Sequence, residues 1–500
     1  MAYSRNTLSI RRLIYYPFCV VVSLWLLTAC SSSRKAFHKS GLNTIEILAV
    51  NDIHAAIDHF PRLGFIVDSL RTLYPDMLLV SGGDNQTGNP VNDQYPQRGM
   101  PVIELMNALQ FDISAVGNHE FDVKPEAWAY ILKQAQFDFI GANIQSNDPI
   151  RYPIKPYKTI TMPKGDKIIF LSVLDINEHG LPATHPDNLH DFTFDDPFQT
   201  AHKYLYLKDS CDRLIFLNHF GYENDSILAQ QLPAGTTDLI IGGHSHTKID
   251  TIHLVNDILI TQAESKLNYA SFIQLSTLSD GSTKKTMELL SIGRQGNERA
   301  DIRAMVDSFN DNPVLNTPLA FTDDELIGSE MVGYLMVDAL QASTGADIAL
   351  LNLGGVRTKH LNKGAITVKD VYLMDPFGNQ ITLFRLSGKE LLALLTSAYY
   401  RDHQKPVIPA GLKLYYFIDD EQLTDIQIFT PEGEPLDMDA VYTVAMNSYM
   451  AAVYEFAHAE LARMLPEKTA ESMIKYLRNL QQLPSYRTEK RIEVKRIQKP

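Results

Sequence analysis

The chain has 500 residues, with 45 Lys+Arg against 59 Asp+Glu and a formal charge of −14. Apolar residues make up 45% and charged residues 21%, which excludes a largely disordered, collagen-like or polytopic membrane chain. The acidic balance argues against a general nucleic-acid binder, and three cysteines cannot build a disulfide framework.

At the N-terminus, Arg5, Arg11 and Arg12 flank a mostly apolar run, Leu13 to Leu27, which leads into Leu27-Thr28-Ala29-Cys30 and three serines. A basic start, a short apolar core and small residues before a cut site describe a secretory signal. The run is short for a membrane span, which takes about 20 residues, and Pro17 interrupts it. Leu-Thr-Ala-Cys resembles the lipobox of bacterial lipoproteins. That implies cleavage before Cys30, lipidation of Cys30 and a place in the bacterial cell envelope, periplasm or outer membrane. Residues 1–29 are then a signal peptide and 30–44 a tether. Cys211 is left alone as a structural thiol.

Short apolar runs recur from residue 45: Ile45–Val50, Met77–Val80, Ile113–Val116, Phe137–Ile140, Ile168–Val173, Leu214–Leu217 and Leu239–Ile241. Their length and content predict buried strands. Pro61–Tyr74, Pro101–Leu109 and Pro125–Gln136 lie between them with helical spacing, so an α/β fold is expected over 45–292. Residues 293–325 read as a linker with a helix at Arg299–Asn310. A second block, 326–483, carries helices at Val332–Thr344 and Lys389–Tyr400 and a strand at Ile348–Leu351. The polar end, 484–500, reads as a basic, solvated tail.

Five clusters follow strand-like runs: Asn51-Asp52-Ile53-His54, Gly82-Gly83-Asp84-Asn85, Gly117-Asn118-His119-Glu120-Phe121-Asp122, Asn218-His219 and Gly242-Gly243-His244-Ser245-His246. Asp, Asn and His bind divalent metals through oxygen or imidazole nitrogen. One such cluster is more often a turn than a ligand. Five at strand ends gather costly polar groups at one edge of a buried sheet, which points to a metal site.

Their order resembles the calcineurin-like metallophosphoesterases. Gly-Asn-His-Glu-Phe-Asp and the segment from His219 to Asp225 resemble more narrowly the bacterial 5′-nucleotidase and UDP-sugar hydrolase branch. The resemblance implies an α/β sandwich followed by an α+β substrate-binding domain, and two divalent ions (Mn, Zn, Co or Fe). Asp52, His54 and His246 would hold one ion and Asn118, His219 and His244 the other, with Asp84 bridging. It implies a hydrolase in which a metal-bridging hydroxide attacks phosphorus in line, His119 serves the phosphoryl group and Asp122 orients His119. Glu120 has no assigned role.

In the second block, Asn352-Leu353-Gly354-Gly355-Val356-Arg357 and Asp375-Pro376-Phe377-Gly378 resemble that family's substrate motifs. The resemblance assigns Asn352, Gly354, Gly355 and Arg357 to anionic or ribose oxygens, Phe377 to one wall of a base clamp and Phe456 to the other, with Tyr454 as the alternative second ring. Two departures stand out. Ser329-Glu330-Met331-Val332-Gly333-Tyr334 lacks the family's asparagines and its upstream Arg, and 451–456 lacks the glycines of the family's loop. The implied substrate is a nucleoside monophosphate. A UDP-sugar or 2′,3′-cyclic nucleotide on the same site is an alternative, as is a lipoprotein that captures nucleotides without turnover.

Overall fold

The computed structural model describes residues 43–293, 296–402 and 404–496. The expected signal segment, Cys30 and nearly all of its tether lie outside the described residues. Among the described residues no helix is long and apolar enough to cross a membrane.

The strand Asn43–Val50 runs through the middle of a six-stranded sheet. It pairs antiparallel with Tyr269–Thr277 and parallel with Leu78–Ser81. Ile113–Ala115 and Asp138–Ile140 continue in parallel on one side, and Thr283–Ser291 closes the other. A second six-stranded sheet is ordered Leu254–Val255, Ile258–Thr261, Leu239–Ile241, Arg213–Leu217, Lys167–Leu171, Tyr157–Thr161. Ile47, Val80 and Ile113 of the first sheet form one buried cluster with Phe170, Ile215 and Ile241 of the second.

Helices Phe60–Leu73, Met100–Ala108 and Pro125–Gln134 contribute buried residues to the layer on the other face of the first sheet, and each carries a proline in its first turn. Proline there loses no helical hydrogen bond and presets φ, which is why proline marked these starts in the sequence. Pro197–Lys203 and Tyr222–Gln231 pack on the second sheet. With apolar layers on both faces, the parallel strands carry unbroken apolar runs. Because these strands share a direction, their carboxyl ends meet at one edge, and all five clusters follow those ends.

The expected linker is instead tied to the first block. In helix Ala300–Asn310, Ile302 and Val306 are fully buried, Arg299 N donates to Pro61 O at 2.8 Å, and Asn310 Nδ2 donates to Asp58 at 2.8 Å. Two apolar residues one turn apart give that helix a stripe to bury. The second block begins before 326, because Pro318–Thr322 already pairs with Gly364–Thr367.

The second block holds a five-stranded sheet ordered Ile408–Ala410, Ile348–Leu351, Val441–Asn447, Gln380–Ser387, Arg463–Lys468. A three-stranded sheet corrects the reading of the basic end: Ile492–Arg496 pairs in parallel with Lys413–Asp419. Arg491 makes two bonds to the Asp338 carboxylate, at 2.5 and 3.0 Å, and Tyr486 is buried with its hydroxyl on the same group. Counting charges missed this, because those side chains neutralise acids of the fold. One continuous apolar cluster joins Val102 and Ile131 of the first block to Val332 and Met374 of the second.

Candidate active site

The clusters converge. Asp52, His54 and His246 can bring one ligand atom each to a common point, as can Asp84, His219 and His244, and His54, Asp84 and His119. Five of the seven expected metal ligands sit in left-handed backbone: Asp52 (φ 51°), His54 (46°), Asp84 (53°), His244 (77°) and His246 (55°). Such residues cost about 1 kcal/mol or more each and persist only where the surroundings over-determine them. The loops also pack too closely for side chains between them. A Cβ on Gly117 would lie 2.2 Å from Asp84 Oδ1, and one on Gly243 would lie 2.6 Å from Gly82 O.

Most of the expected ligands have one end anchored and the other aimed inward. His54 Nδ1 lies 3.1 Å from Thr87 O, which turns Nε2 to within 2.9 Å of His246 Nε2. His219 Nδ1 lies 2.8 Å from Gly82 O, leaving Nε2 3.2 Å from both Asn118 Oδ1 and Asp84 Oδ2. Asn118 Nδ2 donates to Ala183 O at 3.1 Å, so its Oδ1 faces His219 and, at 3.0 Å, His244 Nδ1. His244 Nε2 in turn faces Asp175 Oδ2 at 3.4 Å. Anchoring one ring nitrogen to fix the other is what metal-binding histidines require. Two inward imidazole nitrogens 2.9 Å apart, beside Asp52 and Asp84, form a donor set that a cation satisfies. The residues therefore fit bound divalent metal.

Electrostatics agree. Burial holds the His54 imidazole far below its usual range, which keeps it neutral and able to donate a lone pair. Burial opposes charge on His219 as well, but the Asp84 carboxylate outweighs it and raises the ring to about 10. The Asp84 carboxyl is driven well down, against its burial, by His219 and His119. The centre thus favours positive charge beside Asp84.

His119 stands at the mouth. Its Nδ1 lies 2.5 Å from Asp122 Oδ2, and Asp122 Oδ1 accepts from Thr184 Oγ1 at 2.8 Å. Nε2 is left facing Asp84, 4.0 Å away. Asp122 ends a short 3₁₀ turn, and the next helix begins at Pro125.

The second block brings some expected residues here and keeps others away. The Phe377 ring stacks on His119 with centroids 6.2 Å apart, and Arg357 Cζ lies 5.6 Å from the Phe377 centroid. Asn352 is buried, its Oδ1 accepting from Asn447 Nδ2 at 3.2 Å. Gly355 is needed beside it, since a Cβ there would come within 2.8 Å of that oxygen, while Gly354 is exposed. Phe456 packs on Phe384 and His458, at 5.7 and 4.9 Å, on the rim of the second core.

Several residues escaped the sequence reading. Glu120 is fully buried and accepts from the backbone of Asp84, Asn85 and Gly117 at 3.0, 2.7 and 2.7 Å, tying two ligand loops together. Burial and the Asp84 charge push its carboxyl up to about 7. Asp175 and Thr184 lie in a loop with no motif. Burial, with the charges of Asp402 and Asp122, raises the Tyr449 hydroxyl pKa. The Cys211 thiol lies 3.3 Å from Leu207 O.

Residues 45–248 match the family model of the calcineurin-like phosphoesterases, and residues 317–456 match that of the 5′-nucleotidase C-terminal domain. The chain belongs to the 5′-nucleotidase family of calcineurin-like phosphoesterases. This phosphoesterase is 25% identical over 475 residues to the trifunctional nucleotide phosphoesterase protein YfkN of Bacillus subtilis. That match covers 83% of this chain but 32% of the relative, so the chain spans about a third of that protein's length. It is 26% identical over 478 residues to a 5′-nucleotidase of Vibrio cholerae, covering 82% of this chain and 84% of that one. The fold matches the crystal structure of a 5′-nucleotidase precursor from Thermus thermophilus with a TM-score of 0.79. The sequences are 24% identical, and the match covers 91% of this chain and 99% of that one.

Proposed function

We propose that this phosphoesterase is a 5′-nucleotidase that releases phosphate from nucleoside monophosphates. The observation that carries the reading is the anchoring of His54, His219, Asn118 and His244, each with one end fixed and the other turned to a shared centre. Asp52, His54 and His246 would hold one divalent ion and Asn118, His219 and His244 the other, with Asp84 between them. Such ions supply Lewis-acid charge and a water of lowered pKa.

The chain's own residues do the rest. Asp122 holds the His119 Nδ1 proton, which fixes the tautomer and aims Nε2 at the reacting centre. Burial opposes charge on His119, but Asp122 and then Asp84 outweigh it and raise its pKa, which suits a group that donates a proton to a leaving oxygen. Arg357 offers a forked cation to phosphate or ribose oxygens. Phe377 offers a face on which a base can stack. Phe377 over His119 supports a leaving group held between the two blocks.

The lipobox-like Leu27-Thr28-Ala29-Cys30 supports export to the cell envelope with a lipid on Cys30. The mass of the mature N-terminus tests that part.

The deciding assay is phosphate release from AMP with added Mn²⁺, with Asp84→Ala as the blank. UDP-glucose and 2′,3′-cyclic AMP run beside it. Turnover of AMP that vanishes in the blank supports the reading. Turnover confined to another ester would keep the metal chemistry and overturn the substrate.

A further inference from the structure

Strand Ile258–Thr261 ends at the same edge as the five clusters, but no expected ligand follows it. It pairs in parallel with Leu239–Ile241, with Thr261 opposite Ile241. Gln262 therefore arrives beside Gly242, at the root of the loop that carries His244 and His246. Gln262 is buried, with 1% of its surface exposed. Its Nε2 donates to Gly243 O at 3.0 Å, and its Oε1 accepts from Thr247 N and from Ser245 Oγ, each at 3.0 Å. One side chain thus closes the loop from Gly243 to Thr247. The two ends of the amide cannot be exchanged, because a carbonyl only accepts and a backbone N–H only donates. Gly242 leaves room for it, since a Cβ there would lie 2.9 Å from Gln262 Nε2.

The loop needs closing from outside. His244 and His246 hold φ of 77° and 55°, a backbone state that the surroundings must impose. The segment after Gln262 runs antiparallel to it: Ile249 N donates to Gln262 O and Glu264 N to Thr247 O, each at 3.1 Å. The two histidines differ in what else holds them. The His244 ring is met at both nitrogens, by Asn118 Oδ1 at 3.0 Å and Asp175 Oδ2 at 3.4 Å. His54 and His219 each have Nδ1 on a backbone carbonyl. The His246 ring turns Nε2 to the centre, 2.9 Å from His54 Nε2 and 3.3 Å from Asp52 Oδ1. Among the described residues its Nδ1 has no hydrogen-bond partner. Its placement therefore falls to the backbone, and the peptide N–H that follows it, Thr247 N, is the one bound to Gln262.

We propose that Gln262 is a positioning residue that sets His246 through the backbone, and so fixes the site that His246 would share with Asp52 and His54. It does for His246 what Thr87 O does for His54 and Gly82 O for His219. The inference rests on the two-ion reading of the centre. It makes the two ions unequal in their dependence on this amide, because His244, on the other ion, has side-chain anchors of its own. Loss of an outer partner that orients a metal ligand typically costs roughly 10–100-fold in affinity.

The test is calorimetric titration of Mn²⁺ into the metal-stripped full chain, with the melting midpoint of the metal-free protein measured beside it. Wild type should bind two Mn²⁺. Gln262→Met keeps the length of the side chain and loses all three bonds. It should weaken one Mn²⁺ roughly tenfold or more and the other less than about twofold. Ser245→Ala removes one of those bonds from an exposed position and should weaken the same Mn²⁺ by a smaller factor. His246→Ala should abolish tight binding of that Mn²⁺. Adding Gln262→Met to it should cost less than about twofold more, because a residue that acts through another is not additive with it. Equal weakening of both ions, or losses that multiply in the double variant, would overturn the assignment. So would a lower midpoint with Mn²⁺ affinity unchanged, which would make Gln262 a packing residue. Wild type that takes up fewer than two Mn²⁺ would overturn the two-ion reading and this one together. AMP hydrolysis is scored separately: if AMP is inert while the variants show the expected pattern, the nucleotidase reading fails and Gln262 keeps its role.

Discussion

The Phe377 ring of the second block lies over the His119 imidazole of the first, centroids 6.2 Å apart and planes inclined by 24°. Arg98 Nη2 also donates to Pro376 O at 3.5 Å, and Arg401 pairs with Glu178 across the same junction. The proposed leaving-group clamp and the proposed proton donor are therefore neighbours only because the two blocks pack together.

Removing that ring should cost binding before chemistry. Phe377→Ala is expected to raise KM for AMP roughly tenfold, the value of one aromatic stack of about 1–1.5 kcal/mol. Phe377→Tyr should stay near wild type. Steady-state kinetics on the pair decide it, and equal kcat losses in both would mean that Phe377 serves the chemistry instead.

Asp122→Asn keeps the size of the side chain and loses its charge. It should lower kcat by roughly a hundredfold or more, because His119 loses the partner that fixes its tautomer. Thr184→Val, which removes one bond to Asp122, should do less. Metal content by mass spectrometry should be unchanged in both.

Asp175 faces the outer nitrogen of His244, and its Oδ1 accepts from Asn224 Nδ2 at 3.1 Å. Carboxylates in that position typically account for roughly 10–100-fold in metal affinity, so about that loss is expected for Asp175→Ala in chelator competition. Unaltered metal affinity would reduce Asp175 to a surface acid.

Asp375 gives a pH signature away from the metals. Burial raises its carboxyl to about 6, opposed by bonds from Thr469 and the Phe377 backbone. Between about pH 4 and about pH 6 the folded state holds this proton and the unfolded state does not. The group's contribution to stability is full below about pH 4 and is lost as pH rises, by about 2–3 kcal/mol in all. Asp375→Asn has no such dependence. Urea unfolding should find the variant gaining on wild type across that window, and a constant difference would sink the idea.

The C-terminal strand should be part of the folded unit. Arg491→Met leaves Asp338 half-buried without its bidentate partner, a loss of about 3 kcal/mol. Thermal unfolding checks it, and an unchanged midpoint would return residues 484–496 to a solvated tail.

The sequence by itself determined the layered α/β block, its strands and helix starts, and the residues with metal chemistry. Apolar runs such as Leu239–Ile241 match their strand residue for residue, because a strand buried on both faces cannot hide its composition. Asp52, His119 and His246 were legible because each follows such a run. What stands opposite what was decided only by the tertiary structure. Glu120 binding Asp84 N, Asp175 behind His244, Phe377 over His119, and Arg491 on Asp338 join residues 36 to 258 positions apart. No periodicity encodes such pairs. They form when packing brings separate loops within hydrogen-bond or ring-contact distance, and that is also what moved Phe456 to the rim of its own core while Phe377 reached the centre.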